Sequence, residues 1–328
     1  MGETAMRPVA PILAALLCLG AAAPFRPGWH LVPGQIDAQG RKGPDGNSIF
    51  LDAPEGLILV DTGRHPAHSA ALLAYARQRG RPIAAIVNTH WHLDHNTGNG
   101  EVRAAFPAAP LYASAAIEGA LTGFLPESRR RTEQALAAGQ IPESARPELR
   151  RAFDVMDHPE RLRPTRTVTR SGPMTIAGRR LRVNLAPWAA TEGDVWLYDP
   201  ALRLAIVGDL VVGPVPFMDT ACPEGWRDAL DRIAATPFVT LIPGHGAPMD
   251  RPAFLAWRAA YNAFVECGRS DRPRADCIAG WRRGAARFIP AGSEALVERL
   301  AGYYLDSRLR AAPEERRRQC IGRRNRGS

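Results

Sequence analysis

The stretch His90-Trp91-His92-Leu93-Asp94-His95 decides the fold and the chemistry of this chain of 328 residues. It follows an apolar run at 82–87, Pro-Ile-Ala-Ala-Ile-Val, which predicts a buried strand. Three of the eight histidines fall in this stretch, together with a carboxylate. Each of these side chains can offer zinc a ligand atom at about 2.0–2.2 Å, and burying them without a cation would be costly. The stretch therefore predicts a metal site.

This motif resembles the signature of the metallo-β-lactamase-fold hydrolases, and three further stretches strengthen the resemblance. One predicted strand ends in Asp61-Thr62-Gly63, a second ends at Asp209, and a third ends at His245. Their order and approximate spacing agree with that family over residues 46–250. The resemblance implies an α/β fold, a four-layer αββα sandwich, and a metal-dependent hydrolase that acts on a small molecule.

The resemblance also implies which residues bind metal. In the family's arrangement, two histidines of the motif and one more histidine hold a first metal. The aspartate and the last histidine of the motif hold a second metal together with a histidine from a later strand, and another aspartate bridges the two metals. The corresponding residues here are His90 and His92 for the first metal, Asp94, His95 and His245 for the second, and Asp209 as the bridge.

The expected cofactor is zinc, as one or two ions, although another divalent metal is compatible with the ligands. A metal-bound hydroxide would be the nucleophile. Asp94 would orient it, so Asp94 and Asp209 are the expected catalytic residues.

One position departs from the family pattern. In residues 187–194, Pro-Trp-Ala-Ala-Thr-Glu-Gly-Asp, Ala190 stands where the further histidine is expected, so the first site has lost a ligand and the second is intact. Three hypotheses follow. The enzyme works with one firmly held metal, or another residue replaces the histidine, or the chain is a degenerate member with little activity. His65, His68 and Glu192 are the candidate substitutes, although the two histidines also fit a solvated helix start.

No motif selects the substrate, which is expected to contain an ester, lactone, amide or related bond. Thioester hydrolysis of the glyoxalase type and persulfide oxidation are disfavoured, because those family members depend on the first site. The alternative hypothesis is a periplasmic metal-containing binding or accessory protein with little catalytic activity.

The N-terminus has the pattern of a secretory signal peptide over residues 1–23. Arg7 precedes an apolar run at 9–19, and small residues follow at 20–23. The run is too short to span a bilayer, so we expect a periplasmic or secreted protein without a membrane span. Export also disfavours nucleic-acid processing, and the arginines that give the net charge of +9 are scattered rather than arranged in a stripe.

Export makes disulfides plausible for the four cysteines that remain after Cys18 is removed with the signal. Cys267 and Cys277 flank a turn-rich segment at 268–274 and are the favoured pair. Cys222 with Cys320 would follow by elimination, but the sequence alone allows three connectivities.

We expect a metallo-β-lactamase-fold domain at 30–250, containing a helical insertion at 114–165, and a helical C-terminal extension with a basic tail at 251–328. The insertion either lies over the metal cleft or is a surface excursion. The apolar loop at 210–219 is either a wall of the substrate pocket or a packed connection. The tail is either a solvated terminus or a weak contact for anionic surfaces.

Overall fold

The structure, a computed structural model, describes Met1, residues 28–35, Asp37 and residues 42–321. Apart from Met1, the expected signal peptide lies outside the described residues, as does the end of the basic tail after Ile321. Two sheets pack face to face, and helices cover the outer face of each sheet. This arrangement confirms the expected four-layer sandwich.

The first sheet carries the metal-binding motif. Its six strands, in spatial as well as chain order, are β1 (Trp29–Val32), β2 (Ser48–Ala53), β3 (Gly56–Val60), β4 (Ile83–Val87), β5 (Leu111–Ala113) and β6 (Arg166–Thr167). Its helices are α1 (Pro66–Arg79), α2 (Leu93–Asn96) and α3 (Asn99–Ala105). Helix α1 buries Leu72 and Ala76 against the outer face of the sheet. It ends at Gly80, whose φ of 60° favours glycine.

The second sheet is built mainly from antiparallel strands. In spatial order from one edge they are β11 (Thr240–His245), β10 (Leu204–Val212), β9 (Gly193–Asp199), β8 (Arg179–Pro187) and β7 (Gly172–Ile176). Only β10 and β11 run parallel. Apolar side chains of both sheets, such as Val87 and Ile206, form the core between them. Burial of these two inner faces fixes the sheets against each other, because a one-residue register slip would expose them.

Asp209 lies inside β10 rather than at the end of its strand, which corrects the sequence-based expectation. The pairing of β10 with β11 shifts register between Ile206 and Gly208 and again before Val212, so the strand continues past the irregularity. Gly208 has a φ of 53°, and a β-carbon there would lie 2.6 Å from the Thr89 side chain. Residues 210–212 are therefore strand, and the connecting loop begins only at Gly213.

The insertion contains α4 (Ala116–Thr122), α5 (Phe124–Ala137) and α6 (Arg146–Asp157). Pro126 and Pro147 lie in the first turns of α5 and α6, where the missing N–H is not needed. Leu125 and Val155 pack with Trp91, the aromatic residue inside the metal-binding motif. The insertion thus contacts the metal-binding loop.

The C-terminal helices belong to the outer layer of the second sheet. They are α7 (Pro223–Ala234), α8 (Arg251–Gly268), α9 (Arg274–Gly284) and α10 (Glu294–Tyr304). Helix α11 (Pro313–Arg318) follows them and buries none of its residues. The indoles of Trp257 and Trp281 donate hydrogen bonds to the carbonyl oxygens of Val212 and Pro214. The extension therefore shares one core with β10 instead of forming a separate appendage.

Two disulfides hold these helices. Cys267–Cys277, the favoured pair, joins α8 to α9, and Cys222–Cys320 joins the start of α7 to the end of the described chain. Among the described residues, no helix has the length and apolarity needed to cross a membrane.

Candidate metal centre

The residues of the metal-binding motif converge with two residues of the second sheet. His90 and His92 lie in the loop after β4, and Asp94 and His95 lie on the short helix α2. Asp209 of β10 and His245 at the end of β11 face them from the other sheet. All six side chains are buried. The two halves of the sandwich thus each supply part of one polar cluster in an otherwise apolar core.

Asp209 lies between two groups of potential ligand atoms. Its Oδ2 is 3.5 Å from Nε2 of His90 and 3.8 Å from Nδ1 of His92. Its Oδ1 is 3.1 Å from Nε2 of His95 and 3.5 Å from Nε2 of His245. Each carboxylate oxygen therefore faces a different pair of imidazoles, which is the geometry expected of a bridging ligand.

The two groups differ in the number of ligand atoms. The second group is the one that faces Oδ1 of Asp209. In it, Oδ2 of Asp94 is 3.1 Å from Nε2 of His245 and 3.8 Å from Nε2 of His95. With Asp209 this group offers four ligands, the number that structural and many catalytic zinc sites use. The first group offers three: His90, His92 and Asp209.

The donor set fits a divalent cation. Nε2 of His90 and Oδ1 of Asp209 are buried and make no hydrogen bond to the described residues. Uncompensated polar atoms of this kind are costly in a protein interior. Burial lowers the pKa of His95, but Asp209, Asp61 and Asp94 around it raise that pKa well above its usual value. The cluster therefore favours positive charge at its centre, and imidazole with carboxylate is a ligand set that suits zinc.

Asp61 fixes the orientation of two of the rings. Its Oδ2 accepts hydrogen bonds from Nδ1 of His95, at 2.8 Å, and from Oγ1 of Thr89, at 2.7 Å. Because the Thr89 hydroxyl donates to Asp61, it accepts from Nδ1 of His90, 2.9 Å away. Nδ1 is thus the donor in both histidines, and Nε2, the atom that faces Asp209, is the atom that would bind a metal.

Thr220 fixes the orientation of a third ring, that of His92, in the opposite tautomer. Its hydroxyl donates to the carbonyl oxygen of Ala190, at 2.9 Å, and so accepts from Nε2 of His92, also at 2.9 Å. The free lone pair of His92 is therefore on Nδ1, the atom that faces Asp209. Ala190 itself is buried, and its backbone supports the ring of a candidate ligand although its side chain supplies no ligand atom.

His65, a candidate substitute ligand, is engaged elsewhere. Its Nδ1 is 2.8 Å from Oδ2 of Asp45 and its Nε2 is 3.5 Å from Oε2 of Glu148. These two carboxylates raise the pKa of His65 to about 9. Both ring nitrogens are thus directed at these carboxylates and not at the metal cluster.

The other two candidates are also engaged. Nε2 of His68 is 2.8 Å from Oγ of Ser48, and burial lowers the pKa of His68. Oε2 of Glu192 accepts a 2.8 Å hydrogen bond from the Trp91 indole. Neither residue belongs to a ligand group formed by the described residues.

A cavity of about 850 Å³ opens onto the cluster. His92, Asp94, Asp209 and His245 all border it, and most of its remaining lining comes from the insertion, the loop after β10 and helix α10. The volume is in the range of sites for small molecules. Phe217 of the loop lines the cavity and lies edge-on to the ring of His92, with 5.0 Å between the centroids. The loop is thus a pocket wall, one of the two roles considered for it.

A model of the metallo-beta-lactamase superfamily matches residues 41–245 of the chain. The chain belongs to this superfamily. The matched residues include the four motifs from which the family resemblance was inferred.

The chain is similar to several individual proteins, and it spans less than half the length of the curated relative that it matches. It is 30% identical over 222 residues to a linear primary-alkylsulfatase from Pseudomonas sp. (strain ATCC 19151). This alignment covers 61% of the chain but only 41% of the alkylsulfatase. A double mutant of the sec-alkyl sulfatase PisA1 aligns over 82% of this chain and 49% of its own, with a TM-score of 0.54 and 16% identity. A metallo-beta-lactamase from Pontibacter korlensis aligns over 67% of this chain and 87% of its own, with a TM-score of 0.49 and 18% identity.

Proposed function

We propose that this hydrolase is an exported zinc enzyme that cleaves an ester, lactone, amide or related bond in a small molecule. In this proposal one zinc is held firmly by Asp94, His95, Asp209 and His245. The position between His90, His92 and Asp209 binds a second ion weakly, because Ala190 leaves it one protein ligand short.

The observation that carries the proposal is the way Asp209 divides the site. Its two oxygens face ligand groups of unequal size, and the buried Nε2 of His90 and Oδ1 of Asp209 make no hydrogen bond to the described residues. When bound, a divalent cation lowers the pKa of a water molecule towards neutrality and polarises the bond to be cleaved.

The chain's own residues have distinct parts in this chemistry. Oδ2 of Asp94 lies by the imidazole of His245, whereas its Oδ1 lies 3.9 Å from Nη2 of Arg64. Oδ1 is therefore available to accept a hydrogen bond from the attacking water and to hold it towards the substrate. Asp61 and Thr220 keep the rings in the tautomers that leave the cluster's lone pairs free.

Export is supported by the signal-peptide pattern and by the two disulfides, since disulfides persist in oxidising compartments. Zinc is supported by the mixture of imidazole and carboxylate ligands.

The test is a hydrolysis assay with a panel of carboxylic esters, lactones, β-lactams and alkyl sulfate esters. A sulfate ester is included because the curated relative is named as an alkylsulfatase. We expect turnover of at least one bond class, loss of that turnover after chelation, and recovery on adding zinc. Asp209→Asn should abolish it. A folded protein that binds zinc and hydrolyses none of these bonds would contradict the proposal.

A further inference from the structure

Two residues of the insertion hold Arg64, which lies in the loop between β3 and α1. Oε1 of Glu148, on α6, accepts a 2.8 Å hydrogen bond from Nη1 of Arg64. About one turn further along α6, Nε of Arg151 donates a 2.8 Å hydrogen bond to the carbonyl oxygen of Arg64. From the other side, Oδ1 of Asp45 accepts a hydrogen bond from the N–H of Arg64 at 2.7 Å. Helix α6 thus fixes both the backbone and the guanidinium of this arginine.

The pair formed by Arg64 and Glu148 is enclosed by the protein. Its two side chains are 23% and 16% exposed. The N–H of Gly43 donates to both carboxylate oxygens of Glu148, at 3.2 and 3.3 Å, and a β-carbon on Gly43 would overlap with Oε1 of Glu148 and Nη1 of Arg64. Fully exposed ion pairs stabilise little, because solvent screens them and their long side chains remain mobile. A charge-assisted hydrogen bond in an enclosed place holds its two partners in one orientation instead.

The orientation of Arg64 matters for Asp94. Nη2 of Arg64 lies 3.9 Å from Oδ1 of Asp94. Oδ2 of the same carboxylate faces His95 and His245, at 3.8 and 3.1 Å. Because the guanidinium and the imidazoles face different oxygens, together they fix the rotation of the carboxylate. Movement of the guanidinium would therefore change the position of both oxygens, one facing the candidate metal ligands and the other available to the attacking water.

We propose that Glu148 is a positioning residue of the metal centre: it holds Arg64, and Arg64 holds the carboxylate of Asp94. The insertion then does more than line the cavity, because one of its side chains determines the geometry of a candidate metal ligand on α2. This inference rests on the proposed function, in which Asp94 binds the firmly held zinc and orients the attacking water. It adds a residue that lies outside all four family motifs.

The first test measures zinc affinity by competition with a chromophoric chelator. Glu148→Ala removes the acceptor for Nη1 of Arg64, so the firmly held zinc should bind about tenfold more weakly, the lower end of the cost of losing a partner that orients a ligand. Glu148→Gln keeps an oxygen that can accept this hydrogen bond, and its zinc Kd should stay within about threefold of the native value. Both variants lose the same charge. Equal losses in the two would therefore show an effect of charge and overturn the inference.

A double-mutant cycle tests whether Glu148 acts through Arg64. In the Arg64→Met background Glu148 has no guanidinium to hold, so Glu148→Ala should cause no further change in the zinc Kd. A further loss as large as the one in the native background would overturn the inference, because Glu148 would then act by another route.

Glu101→Ala is the matched control. Glu101 also attaches α6 to the rest of the fold, through a 2.6 Å ion pair between its Oε1 and Nη1 of Arg151. It lies on α3 and holds the insertion without holding the guanidinium of Arg64. Zinc affinity should therefore be native in Glu101→Ala, and a loss equal to that of Glu148→Ala would overturn the inference.

The second test is the kinetics with a substrate that the panel identifies. Since Asp94 orients the attacking water, Glu148→Ala should lower kcat about tenfold and leave KM nearly unchanged. A residue that only lines the cavity would instead affect KM, so a raised KM with a native kcat would overturn the inference.

Urea unfolding of the zinc-free proteins shows whether the variants fold. If Glu148→Ala does not fold, Gly43→Ala decides the question, because its added β-carbon pushes the same pair apart without any change of charge and should also weaken zinc binding. If zinc affinity follows these expectations but no bond of the panel is hydrolysed, the proposed function fails and the positioning of Asp94 remains. If a bond is hydrolysed and Glu148→Ala has native zinc affinity and kinetics, only the positioning inference fails.

Discussion

Asp61 should control zinc affinity although it contacts no metal. In Asp61→Asn the amide nitrogen would replace an oxygen that accepts two hydrogen bonds, or the amide would flip and oppose the Thr89 N–H. Either orientation places two donors against each other. His95 then loses the partner that keeps its proton on Nδ1, and His90 loses the same support through Thr89.

The expected size of the effect follows from these contacts. Loss of a partner that orients a single ligand costs about 10–100-fold in metal affinity. Since Asp61 supports two ligands, we expect a loss near 100-fold, or about 2.7 kcal/mol. The backbone should not contribute, because Asp61 has a φ of 58° and asparagine tolerates this left-handed conformation.

The assay is a zinc titration in competition with a chromophoric chelator, accompanied by urea unfolding of the zinc-free protein. Asp52→Asn is the matched control. Its carboxylate pairs with Arg79 and Arg81 on the surface of the first sheet, so zinc affinity should be unchanged. Loss of such a partner usually weakens metal binding at least about tenfold. A zinc Kd for Asp61→Asn within about threefold of the native value would therefore refute the role of Asp61 in orienting His90 and His95.

Three further predictions concern other contacts. Thr220→Val removes the acceptor for Nε2 of His92 and should weaken only the lower-affinity zinc in a two-step titration, by about tenfold. Asp45 and Glu148 raise the pKa of His65 from 6.5 to about 9, and His65 lowers that of Glu148 from 4.5 to about 2, so the contacts of His65 with the two carboxylates stabilise most between pH 4.5 and 6.5. The loss of unfolding free energy in His65→Gln should therefore shrink as pH rises through 9 or falls through 2, and a pH-independent loss would contradict this. Replacing Cys267 and Cys277 by alanine, which opens a loop with a sequence separation of 10, should lower the unfolding free energy by about 3 kcal/mol in urea titrations; an unchanged midpoint would count against it.

Local patterns in the sequence predicted the elements that carry the metal motif. The apolar run before His90 became β4, and the helix start considered around His65 and His68 is the N-terminus of α1. Such features depend on residues close in the chain, where periodicity and end residues are informative. The family motifs also predicted that Asp209 and His245 lie opposite the motif at 90–95. No local pattern in the sequence contains this information.

The hydrogen bonds around the metal ligands could not be predicted in this way. Thr220 and His92 are separated by 128 positions, and Glu192 and Trp91 by 101. No periodicity links such pairs, so Glu192 was considered a ligand when its carboxylate in fact binds an indole. Asp61 was noticed as part of a motif, but its hydrogen bonds to Thr89 and His95 emerge only from the packing of loops after neighbouring strands.

The central claim is that the metal centre has one complete and one incomplete site. It is tested most directly by counting zinc per chain, by elemental analysis after dialysis against a weak chelator, in the native protein and in Ala190→His. The account predicts about one zinc in the native protein and about two in the variant, since the added imidazole raises the first site to the four ligands zinc prefers. Two firmly held zinc ions in the native protein, or no increase in a folded Ala190→His, would contradict it.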